Sequence, residues 1–327
     1  MRAIVESSLR VPAVFGIVLL VASGCISGTP PSVSPAAPAA TPTATPRPTD
    51  DPVPTPPSTD VSPPAASASP RQSEELPRDK FTNPTVIDNE WFALTPGTQL
   101  VWDGAIDVDD ERLDHRVITT VTDLTKVIDG VRTVVVYEQD FTPIDERAEA
   151  ELSFFAQDDD GTVWLIGEYP EEYENGKLVD APTWLSGIKG SVAGIAMMAD
   201  PQVGQASYSQ GWAPAVGFTD RARVFEVRSK TCVRKGCYDD VLIMDEFNPD
   251  EPDAHQLKYY ARGVGVVRVG FAGALEDTRE VLGLVKISHL DAAALAKVRA
   301  AAIKLEKHAY QVSKDVYALT SAIEPAP

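Results

Sequence analysis

Three dipeptides do most to limit what this chain can fold into. Asp129-Gly130, Asp160-Gly161 and Asn175-Gly176 each separate two runs of strand-forming residues. Asp-Gly and Asn-Gly tolerate the positive φ angles of tight hairpin turns, so such a pair between two such runs is a strong hairpin signal. The runs are clear in the sequence. Arg116 to Thr122 and Arg132 to Tyr137 flank the first dipeptide, and Glu151 to Gln157 and Thr162 to Gly167 flank the second. Glu171 to Tyr173 and Lys177 to Val179 flank the third. Upstream, Trp91 to Leu94 leads through Thr95-Pro96-Gly97 into Gln99 to Asp103. Downstream, strand signals continue at Ala206 to Gly211, Arg223 to Thr231, Asp239 to Phe247, His255 to Tyr260, Gly265 to Phe271 and Thr278 to Ile287. About ten or eleven strands with short connections predict a mainly β fold, an antiparallel meander that is curved or a half-barrel. Parallel crossovers need a dozen or more residues, which these connections lack. Pro182 to Pro201 is small, apolar and broken by glycine, and reads as a long connection over one end of the sheet.

The period changes after residue 290. Asp291 can cap a helix through about Ser321. Leu295, Val298, Ala302, Leu305, Ala309, Val312, Val316 and Leu319 fall at alternating steps of three and four, one apolar stripe on one long C-terminal helix. The stripe suits packing on an open face of the sheet, or a coiled-coil contact with a protein partner through 291–321.

The N-terminus is of another kind. Arg2 and Arg10 precede an apolar run from Val11 to Val21, and Ala22-Ser23-Gly24 leads to Cys25. The run is roughly a dozen residues, where a spanning helix needs about 20. This pattern reads as a lipoprotein export signal over 1–24, with a diacylglycerol on Cys25 that anchors the protein to a membrane. From about Gly28 to Arg78 the chain is mostly Pro, Ala, Thr and Ser, with about half of its 27 prolines. Such a segment buries too little apolar surface to offset its ordering entropy. It is expected to act as a tether, reaching up to roughly 150 Å if it is extended at about 3.1 Å per residue. The domains are thus 1–24 signal, 25–78 anchor and tether, 79–290 β domain, 291–321 helix and 322–327 tail.

The formal net charge is −19. Nucleic acid is excluded as a partner, because phosphate neutralisation needs a basic face. Anionic headgroups repel such a body, which leaves the lipid as its membrane contact. Beyond Cys25 the cysteines are Cys232 and Cys237, flanking Val233-Arg234-Lys235-Gly236. In an oxidising compartment they read as a disulfide across a hairpin.

The body resembles a family of uncharacterised secreted proteins and lipoproteins, largely actinobacterial. The residues that carry the likeness are Phe92 to Gly97, Phe155 to Asp158, Gly161 to Trp164 with Gly167-Glu168, Tyr173 to Lys177, Pro201 to Gly204 and Lys258 to Gly265. They span roughly 81–287 and are mostly turns and strand ends. The resemblance implies an extracytoplasmic β domain on the outer face of a cell membrane, with no assigned activity. The layout also resembles envelope lipoproteins whose curved sheet holds an acyl chain.

No arrangement of catalytic type emerges. Ser207-Tyr208-Ser209-Gln210-Gly211 is similar to an esterase nucleophile elbow, but serine stands where the first glycine belongs and no helix pattern comes after it. Asp158-Asp159-Asp160-Gly161 lacks the downstream glutamate of a calcium loop and sits where a turn belongs. Asp107 to Asp114 reads as a solvated acidic loop. His115, His255, His289 and His308 are too scattered for zinc, and Gly263-Val264-Gly265 has no third glycine opening a helix. No catalytic, metal or cofactor-binding residue is assigned. Trp91, Trp102, Trp164, Trp184 and Trp212 suit core packing or a groove, with Met197 and Met198 as adaptable lining. The expected function is a non-enzymatic, surface-tethered envelope lipoprotein that holds an apolar ligand or lipid in its curved sheet. The alternative is a structural or interaction protein using the C-terminal helix, and an esterase-like hydrolase is a distant third.

Overall fold

A computed structural model describes residues 72–108, 111–144, 146–251, 253–273 and 279–326. The export signal, Cys25 and the tether up to residue 71 lie outside the described residues. The hairpin signals produce β1 (Thr98–Val108), β2 (Glu111–Ile128), β3 (Val131–Phe141), β4 (Arg147–Gln157), β5 (Val163–Glu174) and β6 (Lys177–Asp180). Asp129 and Gly130 have φ of 50° and 82°, and Asn175 and Gly176 have 51° and 70°. Both pairs therefore turn with the positive angles that these residue types tolerate. Next come β7 (Trp184–Leu185), β8 (Val192–Met197), β9 (Tyr208–Ser209) and β10 (Gly211–Trp212). A second meander comprises β11 (Arg221–Val233), β12 (Gly236–Phe247), β13 (His255–Ala261), β14 (Gly265–Ala272) and β15 (Arg279–His289), and leads to α1 (Ala292–Val312) and β16 (Glu324–Pro325).

β1 pairs with β15, which joins the two meanders into one antiparallel sheet. Its order is β10-β8-β5-β4-β3-β2-β1-β15-β14-β13-β12-β11-β9, with β6 and β7 on β5 and β16 on β2. The ladder does not close, yet both ends lie within residues 208–212. Tyr208 and Ser209 pair with β11, while Gly211 and Trp212 pair with β8. Only Gln210 separates the two edges. The fit is tight, since a Cβ on Gly194 of β8 would stand 2.1 Å from the Gln210 carbonyl carbon.

Three expectations are corrected. Residues 182–201 are not a mere connection, because β7 and β8 extend the sheet beside β5. In the stretch Asp107 to Asp114 the described residues are not loop: Asp107 and Val108 end β1, and Glu111 to Asp114 begin β2 paired with it. The helix does not run through 321. It stops at Val312, where the Ser313 amide donates to the Ala309 carbonyl, and Val316 and Tyr317 enter the core from a separate turn.

Partners across an antiparallel ladder project to the same face. One row therefore runs Glu172, Glu149, Asp140, Val117, Trp102 across β5 to β1, and the next runs Pro170, Glu151, Glu138, Thr119. Through β15 and β14 the same face carries Leu282, Val269, Lys258, Met244 and Val224. β3 and β13 are five steps apart along the sheet, about 24 Å if it were flat. Yet Lys258 on β13 lies close enough to act electrostatically on Glu138 and Glu151. This face is thus the inside of a strongly curved sheet. Phe92, from the segment before β1, stops one part of it by packing on Phe155 at 5.2 Å and on Tyr260 at 6.3 Å.

The outer face of β2 to β5 is covered by α1 and its tail. Tyr317 packs on Tyr169 at 5.2 Å and on Phe154 at 6.2 Å. Lys126, buried beneath Tyr317, pairs with Glu306 at 3.3 Å. Ala302, Leu305 and Ala309 of the apolar stripe are buried here. Among the described residues, no helix is long and apolar enough to cross a membrane.

Candidate functional site

Cys232 and Cys237 are joined in a disulfide next to the β11–β12 turn, with Cα atoms 4.0 Å apart. The turn lies against β15, where the Lys235 amide donates to the Leu284 carbonyl at 3.0 Å. Other residues weighed from the sequence are used by the fold. The Asp158 carboxylate accepts from the amides of Asp160 and Thr162 and from the Trp164 indole, which makes it the centre of a turn. Ser209 lies in a two-residue strand, and the chain beyond it forms a three-residue 3-10 turn at Pro214–Val216 rather than the helix an elbow requires. Met197 is fully buried in β8.

The unusual chemistry lies inside the curved sheet, and the sequence reading missed it. Glu138, Asp140, Glu149, Glu151, Glu168 and Glu246 are all at most 2% exposed. Asp220, before β11, is fully buried as well. Their positions follow from strand alternation: Glu138 and Asp140 are two apart on β3, and Glu149 and Glu151 are two apart on β4. The ladder sets Glu138 opposite Glu151 and Asp140 opposite Glu149. Like charges directly across a ladder destabilise it, and burying an ionised carboxylate costs several kcal/mol more.

Two basic groups lie among these acids. Lys258, 2% exposed, pairs with Glu246 at 2.7 Å. His115 sits between Asp140 at 2.8 Å and Glu280 at 3.1 Å. Burial alone would lower the His115 pKa, but Asp140 and then Glu280 outweigh it and raise it to about 10. The imidazole is therefore an imidazolium at neutral pH. The acids respond in the opposite sense. Burial, then the charge of Glu151, pushes Glu138 up to about 8. Burial, then Glu246, pushes Asp220 up to about 8. Burial carries Glu151 to about 7 and holds Glu149 and Glu168 well above the ordinary range. A proton on such a group removes the charge that burial makes costly.

Polar groups of the seam face the same interior. Gln210 Nε2 donates to Glu246 Oε1 at 3.1 Å, while Gln210 Oε1 has no partner among the described residues. The Tyr208 hydroxyl, on the face shared with Glu246, has none either. Glu138 Oε1, Glu149 Oε2, Glu168 Oε1 and Asp220 Oδ2 are likewise unpartnered. The large majority of buried side-chain polar atoms have a partner, so a cluster of exceptions marks either a cost or a use. Asn248 holds the other Asp220 oxygen at 3.0 Å, and the Trp184 indole, stacked on Phe218, holds the other Glu168 oxygen at 2.8 Å. Among the described residues no three His, Cys, Asp or Glu side chains converge as metal ligands.

No family model matches this chain, and no curated protein matches its sequence. Among solved structures, a candidate exported protein with a YmcC-like fold from Bacteroides fragilis is similar at 12% identity and a TM-score of 0.37, over 61% of this chain and 99% of that one. A candidate lipoprotein from Parabacteroides distasonis is similar at 11% identity and a TM-score of 0.34, over 62% of this chain and 100% of that one. Likeness at this level transfers no residue role, ligand or activity.

Proposed function

We propose that this chain is a membrane-tethered binding protein of the cell envelope, non-enzymatic, anchored by a lipid on Cys25 and holding a small polar ligand inside its curved sheet. One observation carries the binding role: buried, unpartnered carboxyl and amide oxygens converge on one interior. That wall does not suit the apolar ligand or lipid expected from the sequence, because acyl chains offer such oxygens no hydrogen-bond donor. The alternative of a protein partner on 291–321 loses its main support, since the middle of the apolar stripe is covered by the chain's own sheet. The Cys232–Cys237 bond supports an oxidising compartment. The small residues before Cys25 and the tether after it support lipidation.

Two measurements test the two halves. Growth of a producing bacterium on an alkynyl palmitate should label the wild-type protein and not Cys25→Ala; equal labelling ends the anchor reading. Native mass spectrometry of the full chain released gently from detergent should show a discrete mass excess that disappears on denaturation. A folded protein at its bare mass would refute the binding role.

A further inference from the structure

We propose that the interior beneath the seam, walled by Glu168, Asp220, Glu246, Gln210 and Tyr208, is a binding site for an aliphatic amine, a primary ammonium on a short methylene chain. This rests on the reading that the interior holds a ligand, and it names the ligand's chemistry.

The unpartnered atoms decide the sign. Once their protons leave, Glu168 Oε1 and Asp220 Oδ2 are acceptors without a donor, as Gln210 Oε1 is at any pH, and the Tyr208 hydroxyl can accept as well as give. A ligand that completes them must bring several donors, and a cationic donor forms the stronger, charge-assisted bonds. An anion is excluded by the surrounding carboxylates. A divalent metal lacks its ligand set, because no three candidate side chains converge at ligand spacing among the described residues. An ammonium has three donors and needs no such convergence.

The chain already shows that this interior accepts an ammonium. Lys258 brings one to Glu246 at 2.7 Å, and its charge is felt by Glu168 and Asp220 as well. The carboxyls around it outnumber it, so a second ammonium meets acids that the first leaves uncompensated. Beside Glu168 the Trp184 and Phe218 rings stack at 5.0 Å, an apolar wall suited to a methylene chain. The balance is an exchange: a carboxylic acid gives its proton to solvent and becomes the carboxylate that pairs with the incoming ammonium.

Access follows from the ladder. β9 holds β11 through two residue pairs and β10 holds β8 through two. Most other main strands are joined over longer registers, ten pairs between β1 and β2, although β14 and β15 also share only two. At the seam, unlike at β14–β15, the strands β9 and β10 are themselves only two residues long, so a weak closure lies where Tyr208 and Gln210 stand over the acids, and parting it uncovers the site.

The test uses the full chain in detergent, exchanged free of amines, titrated with spermidine by calorimetry at pH 7 in two buffers of different ionisation enthalpy. Saturable binding with net proton release is expected. Asp220→Asn and Tyr208→Phe, both close in shape to the native residue, should each weaken it, Asp220→Asn about tenfold or more as a charge-assisted bond is lost. Unchanged near-ultraviolet circular dichroism shows that the variants fold. No saturable binding, binding without proton release, equal affinity in both folded variants, or displacement of spermidine by calcium would each overturn the amine assignment. A mass excess in the native protein together with no spermidine binding ends this inference and leaves the binding role standing; neither signal ends both.

Discussion

Glu138 stands opposite Glu151 across the β3–β4 ladder, and the Thr119 hydroxyl donates to it from the other side. Its proton offsets both the loss of water and the neighbouring charge. Gln at this position keeps the shape and the hydrogen-bonding oxygen but carries no charge at any pH. Glu138→Gln is therefore expected to stabilise the protein by about 1–3 kcal/mol at pH 8, the range for relieving a buried charge. At pH 5, where the native Glu138 is protonated, the gain should be much smaller. Urea denaturation at both pH values reads the difference, and an equal effect at both would mean that Glu138 does not titrate in this range. Little of this environment is legible in the sequence. Val135-Val136-Tyr137-Glu138-Gln139-Asp140 passes from three apolar residues to three polar ones, which ordinarily marks a strand running out of the core into solvent. The two-residue repeat of a strand puts Glu138 and Asp140 on one face but does not say which face the sheet encloses. Here curvature encloses the face with the acids, while α1 covers the other.

The elements are more legible where local chemistry decides them. Asp129-Gly130 and Asn175-Gly176 turn as their residue types require, and Cys232 and Cys237 meet beside a turn. Residues 182–201 read as a connection because β7 has two residues and β8 six, too few for periodicity to show. Their strand identity comes from pairing with β5, a contact remote from the local sequence. The helix start is readable and its end is not. Asp291 accepts from the Ala294 amide at 2.8 Å, satisfying one of the amides a helix leaves unpaired at its start. At the other end the stripe of three and four continues past Val312, but Ser313 accepts from the Tyr317 amide and turns the chain. Val316 and Tyr317 thus reach the core by a fold-back that mimics helical spacing. Asp291→Ala should cost about 1 kcal/mol, the usual worth of such a cap. The loss should appear as a lower urea midpoint with unchanged slope, and Asp291→Asn should recover most of it. A loss of several kcal/mol would show that Asp291 does more than cap.

Across the whole molecule the buried acids make folding a proton-binding event. In the unfolded chain Glu138, Glu151 and Asp220 release their protons near the ordinary values of 4.5, 4.5 and 3.8. In the folded protein they hold them to about 8, 7 and 8 respectively. Between those limits the native state carries more protons than the unfolded state, so stability falls as pH rises, by about 1.4 kcal/mol per pH unit for each excess proton. His115 has the same sign above its ordinary 6.5, since its folded value is about 10. Lys126, lowered to about 8 chiefly by burial, opposes the trend only between 8 and its ordinary 10.5. The whole chain, with a formal net charge of −19 when every carboxylate is ionised, adds self-repulsion in the same direction as its acids ionise. The thermal midpoint of the protein freed of small molecules should therefore be highest near pH 5 and fall steadily towards pH 8. A midpoint that rises over this window would mean that the interior acids are ionised and paired in the native state, which would remove the reason to seek a ligand there. Saturating spermidine sharpens the comparison. An ammonium that takes the place of bound protons binds better as the acids ionise, so it should raise the midpoint more at pH 8 than at pH 5 and flatten the slope. The same amine added to Asp220→Asn should flatten it less, because one of the exchanging protons is no longer there.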